Sequence, residues 1–203
     1  MKELTEREAE EFLEKNGFKV VNRALAKSKQ DLIKIEKQIK FPLAMKVSSK
    51  DINHKMKLGG VILNIKTQKE AERAFEKLSQ IKGFEQAMVQ EMLSGEELIL
   101  GIKKTPEFNQ VIMLGAGGSN VEQKKDVSFR VLPINKEDTK QMLEELKIYN
   151  QIKDKVHVEL ILQNLLKLSN FAEKNPNMQE LDINPLMINK NQAEIVDARI
   201  VFE

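Results

Sequence analysis

The C-terminal segment Glu180–Glu203 is the part of the sequence that most restricts the fold. It reads ELDINPLMINKNQAEIVDARIVFE, with polar residues among apolar ones on both sides of Lys190-Asn191. A two-residue polar turn between two such runs is typical of an antiparallel hairpin, and Asn tolerates the positive φ that such turns often need. The segment therefore predicts that the chain ends in paired antiparallel strands.

Three polar residues fall on one face of this predicted hairpin. If Lys190-Asn191 is the turn, Asn184 and Asp197 stand directly opposite each other, with Cβ atoms about 5 Å apart. Asp182 lies two residues earlier and points to the same face. Two carboxylates and an amide oxygen are hard ligands of the kind that Mg²⁺ prefers. The solvated face of an edge hairpin would show the same alternation, so the metal needs support from a second feature.

Helix caps and short apolar runs fill the rest of the chain. Thr5 with Glu8, and Thr67 with Glu70, have the spacing of capping boxes. We expect helices over 6–15 (ending at Gly17), 28–39, 67–81, 136–149 and 156–173. We expect strands at FKVVN, PLAMKV, VILNI, AMVQEML, EELILGIKK, NQVIMLG and VSFRVLP. This order, without strict alternation, predicts an α/β (α+β) protein with mainly antiparallel sheets.

Composition excludes several classes of function. The 203 residues suffice for one large domain or for two small lobes. The net charge of +2 lacks the basic excess of most nucleic-acid-binding proteins, and the absence of cysteine excludes disulfides, zinc fingers and thiol catalysis. No apolar run has the length of a signal peptide core or a transmembrane helix. We therefore expect a cytoplasmic protein that binds neither nucleic acid nor membrane.

A lysine followed by a glycine pair predicts a phosphate contact. Lys46 lies at the end of an apolar run, and a buried ammonium group needs an anionic partner such as phosphate. Gly59 and Gly60 close the following loop, where backbone N–H groups can approach an anion. His54 lies in the same loop, and such a histidine can act as a base, a phosphate ligand or a phosphorylated nucleophile. A solvated surface loop would explain the same residues.

The stretch VQEMLSGEEL has the pattern of a hinge between two lobes. The backbone N–H and C=O groups of Gln90, Glu91 and Met92 could clasp an adenine base, and the Glu97 carboxylate could bridge ribose hydroxyls. Any β-hairpin has the same local pattern, so the hinge reading depends on the rest of the chain.

Taken in order along the chain, these motifs resemble the ATP-grasp fold and, more closely, the nucleotide-binding β subunit of NDP-forming acyl-CoA synthetases. That family includes ADP-forming acetyl-CoA synthetase and is related to succinyl-CoA synthetase. The matching segments cover essentially the whole chain: LTEREAEEFLEKNGFKVV, LAMKV, HKMKLGGVILNI, VQEMLSGEELILGIKK, VIMLGAGG, KDVSFRVLPI, ELDINPL and IVDARI. The resemblance implies two lobes, residues 1–88 and 89–203, that clasp a nucleotide.

The resemblance also implies a reaction and a partner. In the family, acyl-CoA, ADP and phosphate give the free acid, CoA and ATP. An α subunit carries the CoA site and a histidine that accepts the phosphoryl group, and the β subunit binds Mg²⁺ with ADP or ATP. The chain would then be a ligase subunit that is inactive without its α partner, in an α2β2 heterotetramer. Phosphoryl transfer depends on positioning and charge neutralisation, which Mg²⁺ and a lysine supply.

The family's nucleotide contacts map onto five residues of this sequence. By resemblance, Lys46 matches the lysine that contacts phosphate. The adenine hinge matches Gln90, Glu91 and Met92, and Glu97 matches the carboxylate that binds the ribose.

The metal and phosphoryl-transfer positions also have counterparts. By resemblance, Asn184 and Asp197 match the magnesium ligands, and Asp182 stands where related ATP-grasp enzymes carry a further acidic ligand. His54 matches a β-subunit histidine that relays the phosphoryl group to ADP. Gly59, Gly60 and Arg130 are expected near the phosphates, although Arg130 and the GAGGSN segment could instead face the partner subunit.

One segment departs from the family pattern. The family usually reads His-Lys-Ser-Asp before the glycine pair, whereas this chain reads His54-Lys55-Met56-Lys57. Loss of an acidic neighbour that could orient the imidazole favours an alternative function, a non-catalytic or regulatory nucleotide-binding subunit. Lys57 could instead bind phosphate directly. A free-standing ATP-grasp carboxylate ligase, which would need no partner, is the other alternative.

Overall fold

The structure, a computed structural model, describes residues 1–49, 52, 55, 58–118 and 126–203. Its contacts divide the chain into two compact units, Met1–Val20 with Ser94–Glu203, and Val21–Leu93. The sequence led us to expect lobes of residues 1–88 and 89–203. By contacts, the N-terminal segment instead belongs with the C-terminal one, because strand β1 (Lys2–Glu3) pairs with strand β11 (Ala198–Phe202).

The larger unit is built on a sheet of seven strands. Their order is β1-β11-β9-β6-β7-β8, with β10 paired to β9, and every pairing is antiparallel. The remaining strands of this sheet are β6 (Glu96–Thr105), β7 (Asn109–Ala116), β8 (Val127–Val131), β9 (Met178–Ile188) and β10 (Ala193–Ile195). Its helices are α1 (Glu6–Lys15), α4 (Lys136–Glu144), α5 (Tyr149–Ile152) and α6 (Val158–Lys174).

One face of this sheet packs against helices. Alternate residues of β6, among them Leu98 and Leu100, are almost completely buried and share a core with Leu13 of α1 and Leu165 of α6. Because successive side chains of a strand point to opposite faces, Glu97 and Ile99, on either side of Leu98, lie on the other face. The polar residues predicted to bind ligand are therefore carried on the face turned away from this helical layer.

The smaller unit repeats this arrangement on a smaller scale. Its four-stranded antiparallel sheet has the order β2-β5-β3-β4. The strands are β2 (Arg23–Ala26), β3 (Leu43–Ser48), β4 (Val61–Ile65) and β5 (Gln86–Glu91), and the helices are α2 (Lys29–Ile35) and α3 (Gln68–Ser79). Met45 and Val89 of the central strands pack with Leu32 of α2 and Leu78 of α3 in one core. The predicted mixed α/β class with antiparallel sheets is confirmed.

Side-chain caps account for where the helices begin. The Thr5 hydroxyl accepts the N–H of Glu8, and the Glu8 carboxylate accepts the N–H of Thr5, which confirms the first capping box. The Thr67 hydroxyl accepts the N–H of Glu70. The Glu70 carboxylate, however, accepts the N–H of Lys66 at 2.7 Å, so the reciprocal bond is displaced by one residue.

The predicted strand FKVVN was wrong in position. Within it, Val20 forms only a single parallel bridge with Ile195, and the regular strand begins later, at Arg23. The strand starts later because the chain changes partner after Val20. Val20 belongs to the larger unit, whereas β2 pairs with β5 in the smaller one. Local sequence does not reveal this change of partner.

Two predicted helices are shorter than expected. Helix α2 ends at Ile35, and the N–H of Gln38 already donates to the Ile35 carbonyl in a tighter turn. The helix predicted over 136–149 is broken into α4 and α5. At the break, the Asp126 carboxylate accepts the N–H groups of Lys147 (2.7 Å) and Ile148 (2.9 Å). In a continuous helix these N–H groups would donate to backbone carbonyls instead.

The other predicted elements are present within a few residues of their expected bounds. Helix α1 ends as predicted, with Gly17 at a φ of +82°, in the left-handed region that favours glycine. No helix in the described part of the chain combines the length and apolar character needed to cross a membrane.

Candidate nucleotide site

Lys46 lies in the interior of the smaller sheet. Its strand, β3, runs between β4 and β5, and only 5% of the residue is exposed. Its register partners are Val61 and Met88. The predicted burial of this lysine is confirmed. The phosphate contact of Lys46 stays a prediction.

Gln90 shares one face of the smaller sheet with Lys46. On the paired strands β3 and β5, Lys46 faces Met88 and Ala44 faces Gln90. Met45, between Ala44 and Lys46, belongs to the helix-covered core, so these four residues point to the other face. Lys46 and Gln90 are therefore diagonal neighbours, for which a Cα spacing of about 7–8 Å is typical. The structure thus brings together two of the predicted nucleotide residues.

The hinge residues use their backbone donors within the smaller unit. The Glu91 N–H donates to the Asn22 carbonyl at 3.0 Å, and the Met92 N–H donates to the Pro42 carbonyl at 3.1 Å. The Met92 sulfur accepts the N–H of Asn64. The base contact of Gln90, Glu91 and Met92 stays a prediction, with the N–H groups of Glu91 and Met92 already donating within this unit. A base contact would have to use carbonyl groups and the next donor along the chain.

The glycine pair also has one donor in use. The Gly60 N–H donates to the Lys55 carbonyl at 2.8 Å, and the Gly60 carbonyl accepts the N–H of Val47 at the same distance. Gly59, with a φ of +66°, has open space where a side chain would lie. Of the two glycines, Gly59 is therefore the better placed to offer its N–H group to an anion. His54, together with Met56 and Lys57, lies outside the described residues.

Glu97 lies near the start of β6 and is exposed. Its register partner is Met187 of β9. On the other side, the Glu97 carbonyl accepts the N–H of Gly117 at 2.7 Å, just after the end of β7. The sequence singled out the GAGGSN segment but gave no sign that Gly117 within it contacts Glu97, because this contact depends on the pairing of β6 with β7.

The C-terminal hairpin has the predicted turn and register. The Asn189 N–H donates to the Gln192 carbonyl at 3.0 Å across Lys190-Asn191, and the Asn189 side chain accepts two further backbone N–H groups of the turn. Farther along, the Asn184 N–H donates to the Asp197 carbonyl at 3.1 Å. The predicted opposition of these two residues is thereby confirmed.

Asp182 and Asn184 share one face of the larger sheet, and Asp197 stands opposite Asn184. Their neighbours Ile183 and Ala198 face each other and belong to the helix-covered core. Alternation along β9 directs Asp182 and Asn184 to the other face, as predicted. Asp197 lies between β10 and β11, and its place on this face stays a prediction. Their role as metal ligands stays a prediction.

The surroundings of Asp182 favour a nearby cation. Burial raises the pKa of its carboxyl group, the negative charge of Glu180 raises it further, and Arg199 lowers it. Arg199 faces Asp182 in the register, but its guanidinium group donates to Glu3 at 2.6 Å and to Glu180 at 2.7 Å. A divalent cation beside Asp182 would offset the charge of Glu180 and favour the ionised carboxylate.

Within the described residues, no group of three or more His, Cys, Asp or Glu side chains is arranged to hold a metal ion. The predicted set is different, because it contains two carboxylates and one amide oxygen. Such a set fits Mg²⁺, which binds few protein ligands and completes its octahedron with water and phosphate oxygens.

Arg130 has a partner inside the larger unit. Its guanidinium group donates to both carboxylate oxygens of Glu145, at 2.6 and 3.1 Å. The hydrogen bond from Arg130, and then one from Ser128, lower the pKa of Glu145. This ion pair connects β8 to the end of α4, which gives Arg130 a structural role. The predicted phosphate contact of Arg130 has no support from this geometry.

The fold is that of an ATP-grasp domain, and a family model of that description matches residues 1–202. The chain is 35% identical to the β subunit of ADP-forming acetate–CoA ligase I from Pyrococcus furiosus, over 98% of this chain and 91% of that protein. It is 37% identical to ADP-forming acetate–CoA ligase II from Archaeoglobus fulgidus, over 98% of this chain but 30% of that longer protein. The chain belongs to the ATP-grasp family of ADP-forming acetyl-CoA synthetases.

Solved structures agree with this assignment. The chain matches the dinucleotide-forming acetyl-CoA synthetase 1 of Ca. Korarchaeum cryptofilum, in complex with CoA and Ca-AMPCP, with a TM-score of 0.89 and 32% identity, over 100% of this chain and 94% of that one. A structure of the same protein with CoA and Mg-AMPPCP has a TM-score of 0.85 and 30% identity, over 100% and 93% of the two chains. The resemblance read from the sequence is confirmed.

Proposed function

We propose that this chain is the nucleotide-binding part of an ADP-forming acyl-CoA synthetase, which converts acyl-CoA, ADP and phosphate into the free acid, CoA and ATP. The observation that carries the proposal is the match of the whole chain to β subunits of this family. Related proteins are named for acetate, 4-hydroxybutyrate and trans-ferulate. The proposal therefore specifies an acyl acid only as a class.

Each functional group of the nucleotide has a proposed contact. Lys46 binds a phosphate oxygen from the smaller sheet, where its burial keeps the ammonium group poorly solvated and therefore strongly attracted to anions. Asn184 and Asp197 hold Mg²⁺, with Asp182 adding negative charge beside it. The bound ion would neutralise and orient the phosphates during transfer.

The base and sugar contacts follow from the hinge geometry. Since the N–H groups of Glu91 and Met92 are in use, we propose that the base contacts the carbonyl of Glu91 and the N–H of Leu93. Residues two apart in an extended segment direct their backbone groups to the same side, which suits a flat base. The Glu97 carboxylate binds the ribose hydroxyls.

A companion chain is part of the proposal. The chain spans about 30% of the Archaeoglobus relative, and the matching Pyrococcus protein is named a β subunit. We propose that a CoA-binding α chain completes the enzyme as an α2β2 assembly. In one solved relative a phosphohistidine segment points towards the nucleotide-binding site. We propose that such a histidine of the companion delivers the phosphoryl group, and that His54 relays it to ADP.

A second function is favoured by one sequence feature. Met56 and Lys57 stand where the family usually has Ser and Asp, so the relay through His54 lacks its acidic neighbour. A subunit that binds nucleotide and its companion without transferring phosphate would fit this change. A free-standing ligase would instead form its product without any companion.

ATP formation separates these functions. The chain is incubated with acetyl-CoA, ADP, phosphate and Mg²⁺, alone and after co-purification with a CoA-binding companion, and ATP is measured by luciferase. The proposal expects ATP only with the companion, and none with His54→Asn. Intact assembly without ATP from any acyl-CoA tested would support the non-catalytic subunit. A product made by the chain alone would contradict the need for a partner.

A further inference from the structure

The backbone of Gly117 lies in unusually close contact with Glu97. The Gly117 N–H donates to the Glu97 carbonyl at 2.7 Å. A Cβ atom built at Gly117 would lie 2.7 Å from three atoms of Glu97, its carbonyl carbon, carbonyl oxygen and Cβ. Real Cβ atoms essentially never approach so closely, so any side chain at this position would push Glu97 away. Only glycine permits this contact.

Gly118 lies beside the carboxylate of the same residue. A Cβ atom at Gly118 would lie 3.8 Å from Oε2 of Glu97, at ordinary contact distance. Gly118 also has a φ of +94°, in the left-handed region that favours glycine. A larger side chain here would therefore occupy space next to the carboxylate. The two glycines together leave one side of Glu97 open and fix its backbone.

We infer that Gly117 and Gly118 set the fit of the nucleotide's ribose against Glu97. Gly117, just after the end of β7, is a positioning residue, because its N–H and its missing side chain fix the Glu97 backbone near the start of β6. Gly118 is a specificity residue, because its missing side chain keeps room for two vicinal hydroxyl groups at the carboxylate. The inference rests on the proposed nucleotide site and adds residues that determine how the sugar is recognised.

The physical reason is the directionality of hydrogen bonds. A carboxylate that accepts two hydroxyl donors must be held within a few tenths of an ångström, because these bonds weaken steeply with distance and angle. Glu97 is exposed, so packing of its side chain does not hold it in place. Its backbone is instead held on two sides, by the ladder to Met187 and by the bond from Gly117.

The test compares Mg-ADP with Mg-2′,3′-dideoxy-ADP, which lacks both hydroxyls. Dissociation constants are measured by calorimetry for the wild type, Gly117→Ala, Gly118→Asn, Glu97→Gln and the double variant Gly117→Ala/Glu97→Gln. Asn is chosen at 118 because it tolerates a positive φ. Gly101→Ala, in the same strand as Glu97, is the control, since its Cβ would meet the Met113 side chain at 3.4 Å and the Leu181 carbonyl oxygen at 3.6 Å, both ordinary contact distances.

We expect the wild type and Gly101→Ala to prefer ADP by about tenfold or more, as for hydrogen bonds to a charged group. Gly117→Ala, Gly118→Asn and Glu97→Gln should each lose this preference while binding the dideoxy nucleotide within about twofold of the wild type. The double variant should behave like either single variant, because both changes remove the same interaction.

Other results overturn the inference in distinguishable ways. Equal weakening of both nucleotides would mean that the glycines serve only the fold. An unchanged preference in both glycine variants would mean that they do not act on Glu97, and Gly118→Asn alone decides this if Gly117→Ala does not fold. A preference that survives Glu97→Gln would remove Glu97 from the sugar site but leave the nucleotide function intact. If the wild type binds neither nucleotide, the proposed function itself fails.

Discussion

Asn184 of β9 and Asp197, between β10 and β11, stand opposite each other, and the Asn184 N–H donates to the Asp197 carbonyl at 3.1 Å. This backbone bond holds two of the three proposed magnesium ligands side by side. Ile183 and Ala198, the next residues along, anchor both strands in the core. Ligands carried on paired strands keep their spacing better than ligands on loops, which suits the strict geometry of Mg²⁺.

Loss of one of these ligand oxygens should weaken the binding of Mg²⁺. We expect Asn184→Ala to raise the Mg²⁺ concentration needed for ADP binding by about tenfold, the lower end of the effect of metal-site substitutions. The measurement is an Mg²⁺ titration at fixed ADP, followed by calorimetry. Asn191→Ala, in the exposed turn of the same hairpin, is the control and should leave the titration unchanged. Equal titrations for both variants would remove Asn184 from the metal site.

The hinge makes a second prediction, on the backbone of Leu93. Leu93→Pro removes the N–H group that we propose contacts the base, whereas Leu93→Ala keeps it. We expect Leu93→Pro to bind Mg-ADP about tenfold more weakly than Leu93→Ala, the size of one lost hydrogen bond to a desolvated partner. Circular dichroism and thermal unfolding of both variants check that the fold is kept. Similar affinities would contradict the base contact.

Asp126 makes a prediction about stability. It is 7% exposed, and its carboxylate accepts the N–H groups of Lys147 and Ile148 between α4 and α5. We expect Asp126→Ala to lower the free energy of unfolding by about 1.5–3 kcal/mol, because two partly buried N–H donors lose a charged acceptor. Urea denaturation measures the change. Asp154→Ala, at an exposed position, is the matched control, and an equal effect of the two would contradict the role of Asp126.

Glu145 should make stability depend on pH. Hydrogen bonds from Arg130 and Ser128 lower its pKa in the folded state below the unfolded value. The stabilisation that the ionised Glu145 gives to the folded state is therefore present above the pKa that Glu145 has in the unfolded state. It is lost as the pH falls through the lower pKa that Glu145 has in the folded state. We expect Glu145→Gln to cost about 0.2–1 kcal/mol at neutral pH, since the pair is partly exposed, and nothing in acid below the folded pKa.

Urea denaturation of the wild type and Glu145→Gln, from neutral pH down through the pKa of Glu145, tests the direction of this pH dependence. Glu144→Gln removes the neighbouring carboxylate, which contacts Lys140 only at 4.0 Å, and serves as the control. A difference between the wild type and Glu145→Gln that stays constant as the pH falls would show that the ion pair with Arg130 is not its source.

The hairpin shows which parts of this fold can be read from the sequence. Its turn and register were predictable because a two-residue loop fixes the pairing of every residue that follows it. The capping box at Thr5 was predictable because its two partners, Thr5 and Glu8, are only three residues apart. The resemblance to the family could be recognised because its motifs recur in one order along the chain.

Features that depend on distant pairing could not be read. AMVQEML and EELILGIKK are consecutive in the chain, yet β5 belongs to the smaller sheet and β6 to the larger one. The Glu91 and Met92 N–H groups are in use because Asn22 and Pro42 lie alongside them, which no local pattern indicates. The contact of Gly117 with Glu97 likewise exists only once β6 and β7 are paired.

The central claim is that this chain binds a nucleotide through Lys46 and a magnesium ion held at Asp197. Calorimetric titration of the purified chain with ADP, with and without Mg²⁺, tests it most directly, beside Lys46→Ala and Asp197→Ala. Exposed Lys69→Ala and Asp154→Ala are the matched controls. The account predicts Mg²⁺-dependent binding that weakens about tenfold or more in the first two variants and is unchanged in the controls. Binding that needs no Mg²⁺, or that survives both substitutions unchanged, would contradict it.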